Sequence, residues 1–387
     1  MGGRPGPAGT IRTLTFRLAA LLLGVLLATF LGEATLRLLA PHSLEITVTD
    51  VREFVQFDAR LGWVNRPGSK GRLRFLPDFD TEVRINAHGL RDREIPYERS
   101  PGTGRILALG DSMTFGQGVG TEECWPKVLE RRLGESVEVA NGGVSGWGTA
   151  QERLWLESEG LRYRPDLVIV GLYVNDFWDN APSTDSRVPR PLFVLRDGNL
   201  SVTNLPLARP AGGRWQDAGA YLENNALLFR LLAKGWLWVD LGLLRPTDLA
   251  PIGPVDRDRG VRKPRAPIAL PAVGETGALL SEMDRLCRDH QATLLVLLLA
   301  GHWHVRPSLR GLGGFFWQRD AYETATKLCA DRGLSAVETY PELAGAEERG
   351  APVFHPIDMH LNASGHRLVA ELLKRRIEGE RLLSPAP

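Results

Sequence analysis

The segment RILALGDSMTFG, residues 105 to 116, gives the clearest indication of the fold. Its first five residues are apolar apart from the arginine and predict a short buried strand, and the Gly-Asp-Ser that follows predicts a sharp turn into a helix. Such a turn has two uses: Asp111 or Ser112 caps the helix, or Ser112 is a nucleophile. The second use requires a base and oxyanion donors that the fold brings to the serine.

Four further segments predict buried strands that alternate with helical patterns. The predicted strands are VEVA (137 to 140), LVIVGLY (167 to 173), TLLVLLL (293 to 299) and SAVET (335 to 339). The predicted helices are PKVLERRL (126 to 133), TAQERLWLESEGL (149 to 161), GALLSEMDRLCRDH (277 to 290), YETATKLCADRG (322 to 333) and RLVAELLKRRI (367 to 377). Strands that alternate with helices predict an α/β fold with a parallel sheet covered on both faces.

The first part of the chain, residues 1 to 41, predicts a membrane helix. Three arginines precede the uncharged apolar run LAALLLGVLLATFL, residues 18 to 31, and the helical pattern continues to Ala40. A helix from Leu18 to Ala40 is long enough to cross a bilayer. Cleavage after Ala34, as in a signal peptide, is the alternative. Because positive charge precedes the helix, we expect the rest of the chain to lie outside the cytoplasm.

The remainder divides into a lead-in and a larger domain. Residues 42 to 104 are rich in turns and predict a small β-rich lead-in with a linker, and residues 105 to 387 predict the α/β domain. A long insertion, residues 177 to 275, follows the third predicted strand of that domain. It contains a predicted hairpin around Asp197-Gly198, an apolar helix at 226 to 244 and a proline-rich run at 246 to 271. Long insertions are often functional, and we expect this one to cap the site.

The partners that Ser112 needs follow the other predicted strands. A glycine-rich loop with Gly146 follows the second strand, Asn175 follows the third, and Asp358 and His360 follow the fifth. In an open parallel sheet, the carboxyl ends of the strands form the ligand crevice. His360 can take the proton of the serine, and Asp358 can orient the imidazole. The N–H groups of Ser112 and Gly146 and the amide of Asn175 can stabilise an oxyanion.

These four blocks resemble those of the SGNH (GDSL) hydrolase superfamily, over about residues 105 to 375. GDSMTFG, NGGVSGWG, GLYVNDF and DMHLNASGH are similar to its first, second, third and fifth blocks. The resemblance implies a flavodoxin-like three-layer α/β/α sandwich. NAHGLRD, residues 86 to 92, together with the N-terminal helix, resembles an envelope-facing subgroup. The last block departs from the usual Asp-x-x-His, because here Asp358 and His360 are only two residues apart, which puts the role of Asp358 in question.

Other sites have weaker support in the sequence. Lys and Arg number 47 against 46 Asp and Glu, and no basic stretch interleaved with aromatics indicates a nucleic-acid surface. GVSGW lacks the last glycine of a Gly-x-Ser-x-Gly nucleophile elbow. His302 and His304 are spaced to share a metal, but no cysteine or carboxylate cluster accompanies them, and we expect neither metal nor cofactor. Of three cysteines, Cys287 and Cys329 either pair or, like Cys124, stay as buried thiols.

Together these patterns predict a membrane-anchored, extracytoplasmic serine esterase or acyl hydrolase, with an acylated small molecule, glycan or lipid as substrate. One alternative is the same chemistry with a sugar hydroxyl as acceptor, in an O-acyltransferase for an envelope polysaccharide. A single anchor cannot carry acyl groups across a membrane, so that alternative needs a multi-span donor partner. Another alternative is a non-catalytic glycan-binding scaffold. A binding module has no need of a nucleophile and a base, which argues against it.

Overall fold

A computed structural model describes residues 7 to 39, 51 to 182, 188 to 210, 269 to 309 and 313 to 383. The predicted helix at 226 to 244 and most of the proline-rich run lie outside these residues. Residues 7 to 39 belong to one compact unit, and the other described residues belong to a second.

The described part of the first unit is helix α1 (Pro7–Leu39). Its segment Thr15–Thr35 has a mean hydropathy of 2.0, and none of this segment is buried. This segment is long and apolar enough to cross a membrane. A signal sequence meets the same two criteria of length and composition. The predicted span from Leu18 to Ala40 therefore lies in α1 as far as Leu39, and Ala40 lies outside the described residues.

The described residues of the second unit form a central sheet and three small hairpins. Its strands are β1 (Val55–Asp58), β2 (Gly62–Asn65), β3 (Lys70–Phe75), β4 (Phe79–Arg84), β5 (Gly104–Gly110), β6 (Val137–Asn141), β7 (Leu167–Tyr173), β8 (Phe193–Arg196), β9 (Asn199–Val202), β10 (Thr293–Leu299) and β11 (Ala336–Glu338). Its α-helices are α2 (Ser112–Phe115), α3 (Trp125–Leu133), α4 (Thr149–Ser158), α5 (Asp176–Asp179), α6 (Val273–Asp289), α7 (His302–Val305), α8 (Gly313–Asp331), α9 (Tyr340–Glu348) and α10 (Ala363–Glu380).

The central sheet has five parallel strands in the order β11-β10-β7-β5-β6. Counted along the chain, this is the flavodoxin-like order 2-1-3-4-5. Right-handed crossovers place α3 and α4 on opposite faces, because the chain moves outward from β5 to β6 and then returns to β7. Helix α3 packs with α10, and α4 packs with α6. The predicted α/β sandwich with a parallel sheet is therefore confirmed.

The sheet strands are almost entirely buried, which agrees with their apolar sequences. All seven residues of β5 are buried, and Leu167 to Val170 of β7 are inaccessible to solvent. Strand order reverses between β5 and β7, and the crevice at such a reversal is where open α/β sheets bind ligands. The segments that carry Ser112 and Asn175 leave the carboxyl ends of these two strands.

The lead-in and the insertion contribute the hairpins. In the lead-in, β1 pairs with β2 and β3 pairs with β4, both antiparallel. In the insertion, β8 pairs with β9 across Asp197 and Gly198, whose φ angles of 50° and 79° suit a tight hairpin turn. The predicted hairpin in the insertion is thus confirmed.

Candidate active site

Ser112 lies at the start of α2, directly after the buried strand β5. The carboxylate of Asp111 accepts a hydrogen bond from the Met113 N–H (2.9 Å) and so caps this short helix. Gly110 has a φ of 151°, and a Cβ there would lie 2.2 Å from Thr114 Oγ1. Only glycine fits this turn. The cap therefore belongs to Asp111, which leaves the hydroxyl of Ser112 available for another contact.

That contact is with His360. Its Nε2 lies 2.8 Å from Ser112 Oγ, and its Nδ1 lies 2.6 Å from Asp358 Oδ1. The His360 side chain is 20% exposed and the Asp358 side chain only 5%. The imidazole thus contacts a serine hydroxyl on one side and a buried carboxylate on the other. This is the arrangement of a nucleophile, its base and the group that orients the base.

The conformation of Met359 explains how Asp358 can contact His360 although the two are only two residues apart. Its φ is +71°, in the left-handed region that a residue with a side chain rarely adopts. The left-handed turn folds Asp358 back toward His360, which is only two residues away. Gln117 also contacts the pair, since its Nε2 lies 3.3 Å from Asp358 Oδ2 and 3.4 Å from His360 Nδ1.

The charges around His360 favour its protonated form. Burial by itself lowers the pKa of His360, but the charge of Asp358 and its hydrogen bond outweigh burial and raise it above the usual 6.5. Burial likewise tends to raise the pKa of Asp358, and the charge and hydrogen bond of His360 lower it instead. Burial raises the pKa of Asp111, beneath the serine, to about 6. The imidazole is therefore more basic than a free histidine.

Gly146 lies in the loop after β6, with a φ of +78°. The lead-in holds this loop from outside: Trp63 Nε1 donates to the Ser145 carbonyl (3.0 Å), and Asn65 Nδ2 donates to the Gly143 carbonyl (3.1 Å). In return, Trp147 Nε1 donates to the Trp63 carbonyl (2.8 Å). The backbone around the predicted oxyanion donor is thus fixed by side chains of β2.

Asn175 follows β7, on the other side of the crevice. Its Nδ2 donates to Asp179 Oδ2 (2.7 Å), and Asp179 Oδ1 pairs with Arg190 of the insertion (3.0 Å). An anionic acceptor selects the amide nitrogen over the amide oxygen, so it fixes which way the amide faces. This contact uses one of the two N–H groups of the amide.

Asp176 ties the two candidate oxyanion loops together. Its Oδ1 accepts from the N–H and the hydroxyl of Thr149 (2.8 and 2.9 Å), and its Oδ2 accepts from the Tyr173 N–H (2.9 Å). The fully buried Glu152 lies near it, and in the described part of the chain neither oxygen of Glu152 has a hydrogen-bond partner. Burial and the neighbouring carboxylates raise the pKa of both side chains well above their usual values.

Sequence reasoning missed the residues that support the site. They are Gln117, Trp63, Asp179, Arg190 and Asp78, whose carboxylate binds the loop before His360. Gln117 directly follows the first block, which ends at Gly116, so its position in the sequence was a signal. The others lie in the lead-in and the insertion, where no pattern connects them to Ser112.

The other histidines and the cysteines are held in packing and hydrogen-bond contacts within the fold. His366 Nδ1 accepts from the Trp125 N–H (3.1 Å), and burial lowers the pKa of His366 to about 3. His304 stacks on Tyr340 with ring centroids 4.2 Å apart. Among the described residues, no group of three or more His, Cys, Asp or Glu side chains could hold a metal. All three cysteines are buried and free, so Cys287 and Cys329 are not paired.

Comparison with known proteins identifies the family. A model of the GDSL-like Lipase/Acylhydrolase family matches residues 108 to 368. An arylesterase of Vibrio mimicus is 29% identical over 120 residues, which cover 29% of this chain and 60% of the relative. The chain therefore spans less than two thirds of the length of this curated relative.

Solved structures similar to this chain carry related descriptions. A lipolytic protein of the G-D-S-L family from Veillonella parvula shares 14% identity, with a TM-score of 0.38, over 70% of this chain and 96% of that one. The acetyl xylan esterase AlAXEase shares 12% identity, with a TM-score of 0.40, over 70% of this chain and 99% of that one. Because the family model matches more than half of the sequence, including every block that suggested the resemblance, the chain belongs to the GDSL-like Lipase/Acylhydrolase family of ester hydrolases.

Proposed function

We propose that the protein is a serine esterase or acyl hydrolase with Ser112 as nucleophile, His360 as base and Asp358 as the residue that orients the base. The observation that carries the proposal is the pair of short contacts on His360, 2.8 Å from Nε2 to Ser112 Oγ and 2.6 Å from Nδ1 to Asp358 Oδ1. A serine that only capped a helix would need neither contact.

The reaction has two halves. Ser112 Oγ attacks the ester carbonyl while its proton passes to His360 Nε2, and the new oxyanion receives hydrogen bonds from the donors at Ser112, Gly146 and Asn175. The intermediate collapses, the C–O bond of the ester breaks, and the alcohol leaves with the proton from His360. Water then attacks the acyl-serine, with His360 again as base, and releases the carboxylic acid.

The place of the reaction follows from the N-terminal helix. The 21-residue segment Thr15–Thr35 is apolar enough to span a bilayer, and three arginines precede or begin it. By the positive-inside rule, the short N-terminal tail lies in the cytoplasm. We therefore propose a membrane-anchored enzyme whose catalytic domain is extracytoplasmic.

The acceptor of the acyl group distinguishes an esterase from a transferase. The same Ser112–His360 pair can pass an acyl group to a sugar hydroxyl in place of water, and a transferase would then need a multi-span partner as acyl donor. A chain-length series of model esters, assayed with the full chain in detergent with and without a sugar acceptor, separates the two. Acylated sugar as the main product supports the transferase, and free acid supports the esterase.

Covalent labelling tests the nucleophile. A fluorophosphonate should modify Ser112, and Ser112→Ala should abolish both the labelling and ester turnover. Ser145→Ala is the matched control, because Ser145 lies beside Gly146 in the same crevice and is buried. It should keep the labelling. Labelling that survives Ser112→Ala, or that maps to Ser145, means that the proposed nucleophile is wrong.

A further inference from the structure

Asp78 joins the lead-in to the loop that carries the proposed base. It lies in the turn between β3 and β4, and its Oδ2 accepts hydrogen bonds from the N–H groups of both Ile357 and Asp358, each at 2.7 Å. These residues are 279 and 280 positions away in the sequence. One carboxylate oxygen therefore binds two successive peptide groups of the loop that carries Asp358 and His360, which we call the catalytic loop.

The catalytic loop needs such a restraint because its geometry is unusual. Asp358 reaches His360 across a single residue, and this requires the left-handed conformation of Met359 (φ +71°). A residue with a Cβ prefers to leave that region, and leaving it would turn the Asp358 carboxylate away from His360 Nδ1. On the other side of the turn, the His355 N–H donates to the His360 carbonyl (2.8 Å). That bond closes the loop but does not restrain the peptide of Asp358.

A carboxylate suits this position chemically. Hydrogen bonds from N–H groups to an ionised acceptor are shorter and stronger than those to a neutral one. Two converging donors give one oxygen a defined place, and with it the backbone of Asp358. The other oxygen of Asp78 is buried and has no hydrogen-bond partner in the described part of the chain. The whole contact therefore rests on Oδ2.

The hairpin that carries Asp78 also packs on the catalytic loop. The next residue, Phe79, is buried, and its ring centroid lies 5.2 Å from that of His355. Elsewhere in the lead-in, the buried Arg91 donates to the carbonyls of Phe115 and Val119 (2.8 and 2.6 Å), which close the turn after Ser112. The lead-in thus contacts both the nucleophile loop and the base loop, although the family model begins only at residue 108.

From these contacts we propose that Asp78 is a positioning residue for catalysis. It holds the peptide of Asp358 so that the carboxylate of Asp358 stays on His360 Nδ1, despite the two-residue spacing. This proposal rests on the proposed function, since it assigns Asp78 a role in the same reaction. The proposal also means that the lead-in takes part in positioning the catalytic residues and is not an independent domain.

Three variants of the full chain in detergent test the proposal. Asp78→Ala removes the acceptor, Asp78→Asn keeps one oxygen in its place, and Asp80→Ala is the matched control. Asp80 lies in the same hairpin, two residues on, and pairs with Arg72 and Arg74 at the surface. The measurements are kcat and KM on a short-chain ester, the rate of fluorophosphonate labelling and the melting temperature.

We expect Asp78→Ala to lower kcat and the labelling rate by about 10- to 100-fold, with KM within about twofold, because substrate binding does not involve the loop restraint. Asp78→Asn should stay within about threefold of the wild type, and Asp80→Ala should match it. Equal rates for Asp78→Ala and Asp80→Ala would overturn the proposal, and so would a loss that appears in KM alone. If Asp78→Ala does not fold, Asp78→Ser, whose hydroxyl is too short to reach the loop, is judged by the same criteria.

A spectroscopic measurement separates this proposal from the proposed function. The proton on His360 Nδ1, held by Asp358, should give a low-field proton NMR signal in the wild type and in Asp78→Asn. The signal should be lost or shifted in Asp78→Ala. If the wild type shows the signal but hydrolyses no ester and reacts with no fluorophosphonate, the proposed function fails while the role of Asp78 can still be judged. An unchanged signal in Asp78→Ala would overturn the role of Asp78 alone.

Discussion

His360 Nε2 lies 2.8 Å from Ser112 Oγ although the two residues are 248 positions apart in the sequence. Two features of the fold bring them together. Ser112 follows the carboxyl end of a central strand and begins α2. His360 lies just before α10, which packs on α3, the next helix after α2. Asn362 caps α10 by accepting from the N–H groups of Ser364 and Gly365 (2.9 and 3.1 Å). The cap belongs to Asn362, so Asp358 is left to contact His360.

The roles of His360 and Asp358 differ in the size of their expected effects. His360→Ala removes the proposed base and should lower kcat by roughly 10⁴-fold or more. Asp358→Asn keeps the shape of the side chain but loses its charge, and it should lower kcat by roughly 10²- to 10⁴-fold. Steady-state kinetics on a model ester measure both. Near-normal activity of His360→Ala would point to His355 or His366 as the base, and a silent Asp358→Asn would leave a dyad of serine and histidine.

The pH profile should show the effect of Asp358 on the base. The charge and hydrogen bond of Asp358 outweigh burial and raise the pKa of His360 above 6.5, and the carboxylate of Asp111 adds to the effect. The base must be neutral to act, so kcat/KM should rise with pH with a midpoint above 6.5. Asp358→Asn removes the charge that stabilises the imidazolium and should move the midpoint to lower pH. A midpoint that does not move would contradict the assignment.

Asn175 tests the oxyanion hole, since its amide is a side-chain donor that can be removed without changing the backbone. Asn175→Ala should lower kcat by roughly 100- to 1,000-fold, or about 3 to 4 kcal/mol, because one such donor is lost. KM should change little, since the amide bonds the oxyanion more strongly than the ground-state carbonyl. A rise in KM at unchanged kcat would instead make Asn175 a substrate contact. A preserved melting temperature excludes unfolding as the cause.

Glu152 should make the folded protein less stable as pH rises. Its pKa in the folded state lies well above the usual 4.5, chiefly because it is buried and also because Asp176 is near. The folded state therefore keeps a proton that the unfolded chain releases above about pH 4.5, so stability falls as pH rises through this window. Glu152→Gln cannot lose that proton. Its melting temperature relative to the wild type should increase from pH 5 to pH 8, by about 2 to 4 °C for each kcal/mol.

Glu157→Gln is the matched control for Glu152. It lies in the same helix, and its side chain is exposed, where it pairs with Arg60 and Arg153. The change in its melting temperature relative to the wild type, measured at each pH, serves as the baseline. If Glu152→Gln changes with pH no more than Glu157→Gln does, the buried carboxyl is ionised to the same extent in the folded and unfolded chains, and the expected effect of burial is wrong.

The N-terminal helix should keep the full chain in the membrane. Thr15–Thr35 has a mean hydropathy of 2.0, none of it is buried, and the sequence at Ala34 is only a weak cleavage signal. After an alkaline wash, the protein should remain in the membrane fraction. A protease added from outside the cytoplasm should reach the catalytic domain. A soluble extracytoplasmic chain that begins at Thr35 would contradict the anchor and establish a cleaved signal.

Local patterns predicted the central elements of the fold well. The predicted strands at 167 to 173 and 293 to 299 have the same bounds as β7 and β10, because a buried parallel strand is apolar on both faces. Helix ends were predicted less well. The pattern at 149 to 161 reads as one helix, but α4 ends at Ser158 and a 3-10 turn begins at Gly160. Glycine permits that break, but the helical periodicity continues through it.

Sequence patterns were enough to predict the strands, their buried faces and the four blocks that carry Ser112, Gly146, Asn175 and His360, because each depends on neighbours a few residues away. The contacts that support those residues are visible only in the folded chain. The contact of Asp78 with the base loop and the contact of Asp179 with Arg190 join segments that share no periodicity or motif. The left-handed conformation of Met359 likewise depends on contacts between its loop and distant segments such as the one with Asp78. Contacts between distant segments form only when the sheet and its helices pack. Local sequence patterns therefore do not predict them.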